Sequence, residues 1–445
     1  MQITYQRMLE LRYDVDVFIA GGGPAGIAAA VAAARGGASV FLAESFGAFG
    51  GAGVSMLVPA FMQFGDGEHF LADGIGREVY DYIKDNSPER FRKYCPMSIP
   101  VETIKLCYDE MMKKSGALYM LFCSVCDVNT RGGRIENVIC SAKGGMFAVR
   151  AKIYVDCTGD GDMCALSGAK FDMGDADGGV MASTLCGIWS GIDWTRVVHP
   201  DSRELERAFA DKVFTNEDRH LPGMWRIADN TVSESGGIPN GIGGSNAGHI
   251  YGVDGTRADS LTDGIIKGRH QLLEYRRYYR DYLSGYEDAE LVYSASYIGI
   301  RESRRVKCDY TLVLGDFLKQ SDFPDEIGRY CYNIDIHSAT NDSAGYDKFA
   351  SEHAHYRYKK GESYGIPYRS LVVSGFENLL CAGRCISADR HMQSSIRVMP
   401  GCYITGQAAG AAAAIAAHSD SGTRAVDYGD LRQALVSLGA YLRNI

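Results

Sequence analysis

Asp16-Val17-Phe18-Ile19-Ala20-Gly21-Gly22-Gly23-Pro24-Ala25-Gly26-Ile27-Ala28-Ala29-Ala30 decides the fold. Val15 to Ala20 is a short apolar run, as a buried strand requires, and three glycines and a proline then interrupt it. An Ala-rich stretch continues as a helix to Arg35, and Gly36-Gly37 stops it. A second strand follows over Ala38 to Ala43 and ends at Glu44. Strand, glycine turn, helix and strand within about thirty residues form the unit that binds a dinucleotide. Gly21 permits the tight turn, Gly23 lets a pyrophosphate approach the backbone, and Gly26 lets helix and strand pack closely. The helix N-terminus at Pro24 and Ala25 offers partial positive charge to the phosphates. Glu44 lies at the distance expected of an acid that binds ribose hydroxyls.

Further glycine clusters separate FAD from NAD. Ser45 to Ser55 holds Gly50 and Gly51, a loop that a plain NAD dehydrogenase does not need and an extended FAD does. Val155 to Asp162 is a strand running into the turn Thr158-Gly159-Asp160, a second close approach of backbone to a ligand. Near the C-terminus Asn378 to Ala382 is a strand that reaches Gly383 and Arg384. Pro400-Gly401-Cys402 then opens a long Ala-rich helix to His418, whose positive end suits an anionic reduced flavin.

Between these ends the chain is β-rich from Ala117 to Cys157, with Leu118–Val128, Ile135–Ser141 and Phe147–Ile153 as strands of a meander. The middle, about 166 to 370, is more polar and aromatic. It carries a helix over Leu261–Leu283, an apolar strand over Tyr293–Ile300, and Gly-rich loops such as Gly236–Gly248. A helix closes the chain over Asp427–Leu442. The fold class is α/β, a discontinuous Rossmann-type FAD domain with an inserted α+β substrate domain. Residues 1–165 and 370–445 build the first, with part of 60–115 on the substrate side, and 166–369 build the second.

The formal charge of −9 argues against a nucleic-acid backbone binder, which needs surplus Lys and Arg. No apolar run reaches the ~18–20 residues needed to cross a bilayer, so no membrane partner is expected. No basic start with an apolar run and cleavage site is visible, and thirteen scattered cysteines read as reduced thiols, so a cytoplasmic setting is expected. Cys123 and Cys126 sit three apart on a strand, where side chains diverge, and no metal site is read anywhere. His353 and His355 do not converge on a helix. The basic and aromatic run Tyr275–Tyr282 reads as a solvated helix face above packed tyrosines.

These motifs, together with FGGAGVS (49–55), YVDCTGDGD (154–162), GIRESRRV (299–306) and the run from Ile366 to Gly410, resemble the FAD-dependent oxidoreductases related to succinate dehydrogenase and fumarate reductase flavoproteins. The resemblance implies a flavin domain of the glutathione-reductase type interrupted by a substrate domain. It also implies FAD contacts at Gly21 to Gly26, Glu44-Ser45, Gly50-Gly51, Val125 and Gly159-Asp160. Arg384 stands where many relatives have an acid that binds the ribityl chain. No His occurs in residues 44 to 60, so a covalent flavin link is not expected, and a second glycine-turn unit for a pyridine nucleotide is absent.

Hydride chemistry needs a group to take or give the accompanying proton, and an anionic substrate needs guanidinium forks. His391 is the first choice for the proton, with Arg397 and Arg301 to orient substrate and His337 and Arg384 as further candidates. The expected activity is hydride transfer between non-covalent FAD and a small carboxylate or sugar-like polyol. The alternative is a flavin-bearing electron-transfer subunit, which should expose a flat apolar face rather than bury convergent Arg and His. A homo-oligomer is compatible with either, and the electron partner is not specified.

Overall fold

The computed structural model describes residues 3–4, 6–86, 97–198, 202–216, 222–227, 241–341 and 355–443. His353 and the first part of the Gly236–Gly248 loop lie outside the described residues.

The central sheet begins with β1 (Leu11–Ala20), β2 (Val40–Ala43) and β3 (Leu118–Met120), followed by β4 (Cys123–Arg131), β5 (Arg134–Ala142) and β6 (Gly145–Asp156). Their order is β3-β2-β1-β6-β5-β4. The first three and β6 are parallel, and β4, β5 and β6 form an antiparallel meander. A late strand, Leu379–Cys381, pairs in parallel with the last residues of β6, while β5 pairs with the first residues of β6. Segments from both ends of the sequence thus share one sheet.

The helix Pro24–Arg35 lies against the helix Met399–His418, and both are almost wholly buried. Small residues make this close approach possible: a Cβ on Gly406 or Gly410 would come 2.2 or 2.1 Å from the carbonyl oxygens of Ala25 and Ala29. The pair covers one sheet face with Ala, Val and Ile side chains.

The expected single strand Leu118–Val128 is two strands. Phe122 adopts φ +56°, outside the β region, and its amide donates to Phe46 O. The chain turns there from a parallel partner (β2) to an antiparallel one (β5). The expected strand Tyr293–Ile300 meets an observed one, Glu290–Ser294, only at Tyr293 and Ser294, and the residues after it run as irregular chain.

The middle of the chain adds a two-stranded ladder of β7 (Phe171–Met173) with β12 (Arg304–Val306). A four-stranded antiparallel sheet joins β8 (Gly187–Ser190), β9 (Gly223–Arg226), β10 (Gly243–Asn246) and β11 (Glu290–Ser294). Beyond β11 only Gly299 bridges, to Thr184. The helix Ala258–Tyr282 packs Tyr275, Tyr278 and Tyr279 against Trp189 in a core of its own, with Arg276 paired to Glu290 outside. A hairpin of β13 (Glu326–Tyr330) and β14 (Tyr364–Pro367) packs instead into the core of the central sheet, followed by β15, the Leu379–Cys381 strand. The closing helix is Tyr428–Ser437. Among the described residues, no helix is long and apolar enough to cross a membrane.

Candidate active site

Four turns converge at the C-terminal ends of β1, β2, β6 and β15. At the first, Gly21 has φ +93°, and a Cβ there would lie 2.6 Å from Cys157 O. Gly26 is tighter still, with a Cβ 1.8 Å from Gly21 O, so only glycine brings helix and strand this close. Gly23 caps the helix without a side chain. Its added Cβ would meet only Gly51 Cα, at 3.9 Å, leaving the first-turn amides open to a ligand.

At the second turn Glu44 is buried and accepts from Gly22 N at 2.6 Å, Phe46 N at 2.7 Å and Ser45 Oγ at 3.1 Å. Burial pushes its carboxyl above the ordinary value, although those donors oppose it. Gly50 donates to Gly22 O and adopts φ +115°, which ties the second glycine loop to the first. At the third turn Asp156, fully buried, accepts from Thr158 and from Cys164 N and so shapes Thr158-Gly159-Asp160. The fourth brings Arg384 back: its Nη1 lies 2.8 Å from Asp160 Oδ1 and donates to Ser303 Oγ at 3.0 Å.

A cavity of about 530 Å³ opens among these turns. Gly21, Gly23, Pro24, Ala25, Glu44 and Ser45 line it. So do Gly51, Val125, Thr158, Gly159 and Asp160, and on the last segment Gly383, Arg384 and Cys402. The volume falls within the range of small-molecule sites. Backbone cradles that a Cβ would fill, open amides at a helix start and a buried ribose-type acid are the donor set that FAD requires. The residues present fit that cofactor.

The same cavity receives Arg301, Asp335, His337 and Arg397. Arg301 donates to Ala182 O at 2.7 Å, Thr184 Oγ1 at 2.9 Å and Asn246 Oδ1 at 3.3 Å, which fixes its fork. Its carbonyl accepts from Gln393 Nε2. Arg397 Nη2 lies 3.1 Å from Asp335 Oδ2, and His337 Nε2 lies 3.5 Å from the same oxygen. Desolvation by itself would raise the Asp335 carboxyl, but His337, Arg397 and Arg301 outweigh it and hold it well below the usual range. Burial, with Arg301 beside it, pushes the His337 imidazole well below its ordinary value.

Not every expected residue reaches the cavity wall. Gly26 and Gly50 shape the turns from behind, and Ser55 instead lends its carbonyl to Tyr297 N and Ser296 Oγ. Gly401 faces Ile396, with a Cβ position 2.4 Å from Ile396 O; Val398, Met399 and Cys402 present that helix start to the cavity. His391 is half-buried at the start of the helix Arg390–Ile396 and does not line the cavity.

Several contributors carry no sequence signal of their own: Thr184, Asn246, Tyr297 and Tyr332 line the cavity, and His249 lies behind it. Asp335, two positions before His337, lines the cavity as well. Beneath Arg301, buried Glu302 gathers Met181 N, Arg305 and Arg390 into one ion network. Of Cys123 and Cys126, the first is buried and the second exposed.

A family model described as FAD dependent oxidoreductase matches residues 16–435. No curated protein matches the chain. Among solved structures, the chain is similar to a geranylgeranyl bacteriochlorophyll reductase-like protein from Thermoplasma acidophilum, at 11% identity and TM-score 0.44, over 96% of this chain and 83% of that one. It is similar to p-nitrophenol 4-monooxygenase from Pseudomonas putida DLL-E4, at 12% identity and TM-score 0.48, over 96% and 87%. It is also similar to L-proline dehydrogenase from P. horikoshii, at 11% identity and TM-score 0.42, over 95% and 98%.

Proposed function

The chain belongs to the FAD dependent oxidoreductase family, and on that premise we propose that it moves a hydride between non-covalently bound FAD and a small carboxylate-bearing substrate. One observation carries the proposal: Arg301, Asp335, His337 and Arg397 share a single cavity with the glycine turns. FAD, when bound, supplies the two-electron acceptor or donor. Arg301, fixed by three neutral oxygens, holds the substrate carboxylate. Arg397 is tied to Asp335 and completes the anion site, and His337 takes or gives the substrate proton. A sugar-like polyol is the second substrate class, and it would use the same polar groups without the charge match.

The cofactor residues in this reading are Gly21, Gly23, Pro24, Ala25, Glu44, Ser45, Gly51, Val125, Thr158 to Asp160, Gly383 and Cys402, supported by their place on the cavity wall. Gly26, Gly50, Ser55 and Gly401 support them from outside it. His391 is replaced by His337 as the proton group, because only the latter lines the cavity. Kinship to the succinate dehydrogenase and fumarate reductase flavoproteins, and a flavin domain of the glutathione-reductase type, belong to the same proposal. A discontinuous domain from 1–165 and 370–445 draws support from β15, which pairs with β6. The separate tyrosine-rich core supports a substrate region within 166–369, although β13 and β14 pack with the flavin half. Buried, convergent Arg and His favour an enzyme over an electron-transfer subunit, which would offer a flat apolar face beside the flavin.

The test is an anaerobic screen of small carboxylates and polyols for bleaching of the bound flavin. Bleaching by carboxylates that is lost in Arg301→Gln is the expected result. A flavin reduced only by uncharged compounds, or equally well without Arg301, overturns the carboxylate assignment.

A further inference from the structure

Trp225 is a half-buried indole on the wall of the cavity that also receives Arg301. Among the described residues it joins none of the three hydrophobic cores, whereas Trp189 and Trp194 both pack into the tyrosine-rich one. A large ring left outside every core and facing a cavity is a surface available to a ligand. The sheet sets its position. β9 is an edge strand, in which Trp225 pairs with Gly244 and Gly223 pairs with Asn246. Opposed residues share a face, so Trp225, Gly223 and Asn246 lie on one side of this sheet. A Cβ on Gly223 would come 2.3 Å from Trp225 Cη2, so the indole folds back over the glycine and lies beside Asn246. Asn246 Oδ1 in turn accepts from Arg301 Nη2 at 3.3 Å. One asparagine therefore separates the ring from the guanidinium.

A second apolar wall comes from residues 56–62. Phe61 N donates to Met97 O and Ile99 N donates to Pro59 O, which fixes the course of this segment. Leu57 and Phe61 turn into the cores, and Met56, Val58, Ala60 and Met62 line the cavity. Gly244 lets the segment approach the sheet, since a Cβ there would lie 2.5 Å from Pro59 Cβ. Arg226, next to Trp225, does not line the cavity. Its guanidinium lies 5.0 Å from the Trp194 ring centroid and donates to Trp194 O at 3.2 Å. These two walls thus offer two thioethers, aliphatic carbon and an indole, and none of their lining side chains is charged.

We propose that this part of the cavity is an aryl subsite and that the substrate is an aromatic carboxylate, its carboxylate on Arg301 and its ring against Trp225 and the two methionines. The proposal rests on the reading of Arg301 as the anion site and narrows the substrate class of that reading. An indole prefers another ring, stacked or edge-on, and thioether sulfur favours aromatic edges, so the lining selects an aryl group over an alkyl one. A sugar-like polyol would lose its hydration against these side chains with no hydrogen bond to replace it. β9 and β10 belong to the four-stranded sheet, while the glycine turns follow strands of the central one. The aryl group and the cofactor therefore draw on different elements. Trp225 meets the substrate ring and sets specificity.

The experiment measures Kd by titration calorimetry on oxidised, FAD-loaded protein, so it needs no turnover. The probes are phenylacetate, acetate, cyclohexylacetate and 2-phenylethanol. Phenylacetate should bind on the order of 100-fold tighter than acetate, the scale of burying a phenyl ring. It should bind about threefold tighter than cyclohexylacetate, the part that belongs to ring–ring geometry. In Trp225→Ala the ratio of phenylacetate to acetate affinity should fall about tenfold, and Trp225→Phe should restore most of it. Gly223→Ala, whose methyl displaces the indole, should lower the same ratio with Trp225 still present. Acetate binding as tightly as phenylacetate in the wild type overturns the subsite, and so does an unchanged ratio in Trp225→Ala. Cyclohexylacetate binding as tightly as phenylacetate overturns the aromatic assignment. If 2-phenylethanol binds as tightly as phenylacetate, the reading of Arg301 as an anion site fails, and the Trp225 ratio still decides the aryl subsite separately.

Discussion

Arg384 Nη1 lies 2.8 Å from Asp160 Oδ1, and this ion pair joins the segment after β15 to the glycine turn after β6. Both side chains are largely buried, at 11% and 8% exposure, and both line the cavity. The acid expected after Gly383 is therefore not missing from the neighbourhood; it arrives from a different segment, with a guanidinium between. A Cβ on Gly159 would come 2.9 Å from Arg384 Nη2, so the turn and the arginine are fitted to each other.

Removing one partner of such a pair strands the other. Arg384→Met should destabilise the protein by about 3 kcal/mol, because Asp160 loses its cation in a buried site. FAD affinity should fall at least tenfold by the same loss of shape. Adding Asp160→Asn to Arg384→Met should recover most of the stability. Denaturant unfolding and flavin fluorescence titration check both points; a single variant as stable as wild type would show the pair to be idle.

The two buried helices give a steric prediction. Gly410→Ala would push a methyl to within 2.1 Å of Ala29 O, and backbone cannot yield as a side chain can. The expected cost is about 3 kcal/mol or more, at the upper end of core overpacking. FAD binding should weaken with it, since Ala25 in the facing helix lines the cavity. Gly132→Ala is the control: it has φ +58° but nothing within 4 Å, so only backbone strain of about 1 kcal/mol applies. Equal costs for the two would show that the helix contact is looser than described.

The cofactor half was legible because its signals are local. Gly21 to Gly26, Glu44 and Thr158 to Asp160 each announce a turn within a few residues, and a turn fixes where its own backbone goes. The substrate half was not, because its members meet only through tertiary packing. His337 reaches His249 across 88 positions, and nothing in Asn246-Ala247-Gly248-His249 marks that contact. His391 stands near Arg384 and Arg397 in sequence, but the helix Arg390–Ile396 carries it away from the cavity wall. The division of Leu118–Val128 was equally hidden, since a Phe at φ +56° runs against its own preference and is imposed by the Phe46 carbonyl.

His337 also predicts how stability varies with pH. The folded state holds it neutral, while the unfolded chain takes up a proton near pH 6.5. Below that pH the unfolded state binds more protons, so stability falls as pH falls. The slope approaches ~1.4 kcal/mol per pH unit for one proton, and the effect is absent above about pH 7. His337→Asn should flatten the decline between about pH 6.5 and 5 while leaving its own stability nearly level there. Urea unfolding of both proteins at pH 5.0 and 7.5 measures the difference, and parallel curves would mean that His337 is already charged in the native state.

Arg301 tests the anion site more sharply than its removal alone. Its guanidinium is spread over Ala182 O, Thr184 Oγ1 and Asn246 Oδ1, a planar pattern that a lysine ammonium cannot reproduce. Arg301→Lys keeps the charge and loses the fork. KM for a carboxylate that bleaches the flavin should rise on the order of 10-fold in Arg301→Lys and 100-fold in Arg301→Gln, as charge-assisted hydrogen bonds of about 1.5–3 kcal/mol are lost. The flavin spectrum should be unaltered in both, because none of those three acceptor oxygens belongs to a glycine turn. If lysine restores full affinity, charge alone holds the substrate; if both variants lose the flavin, Arg301 belongs to the cofactor site instead.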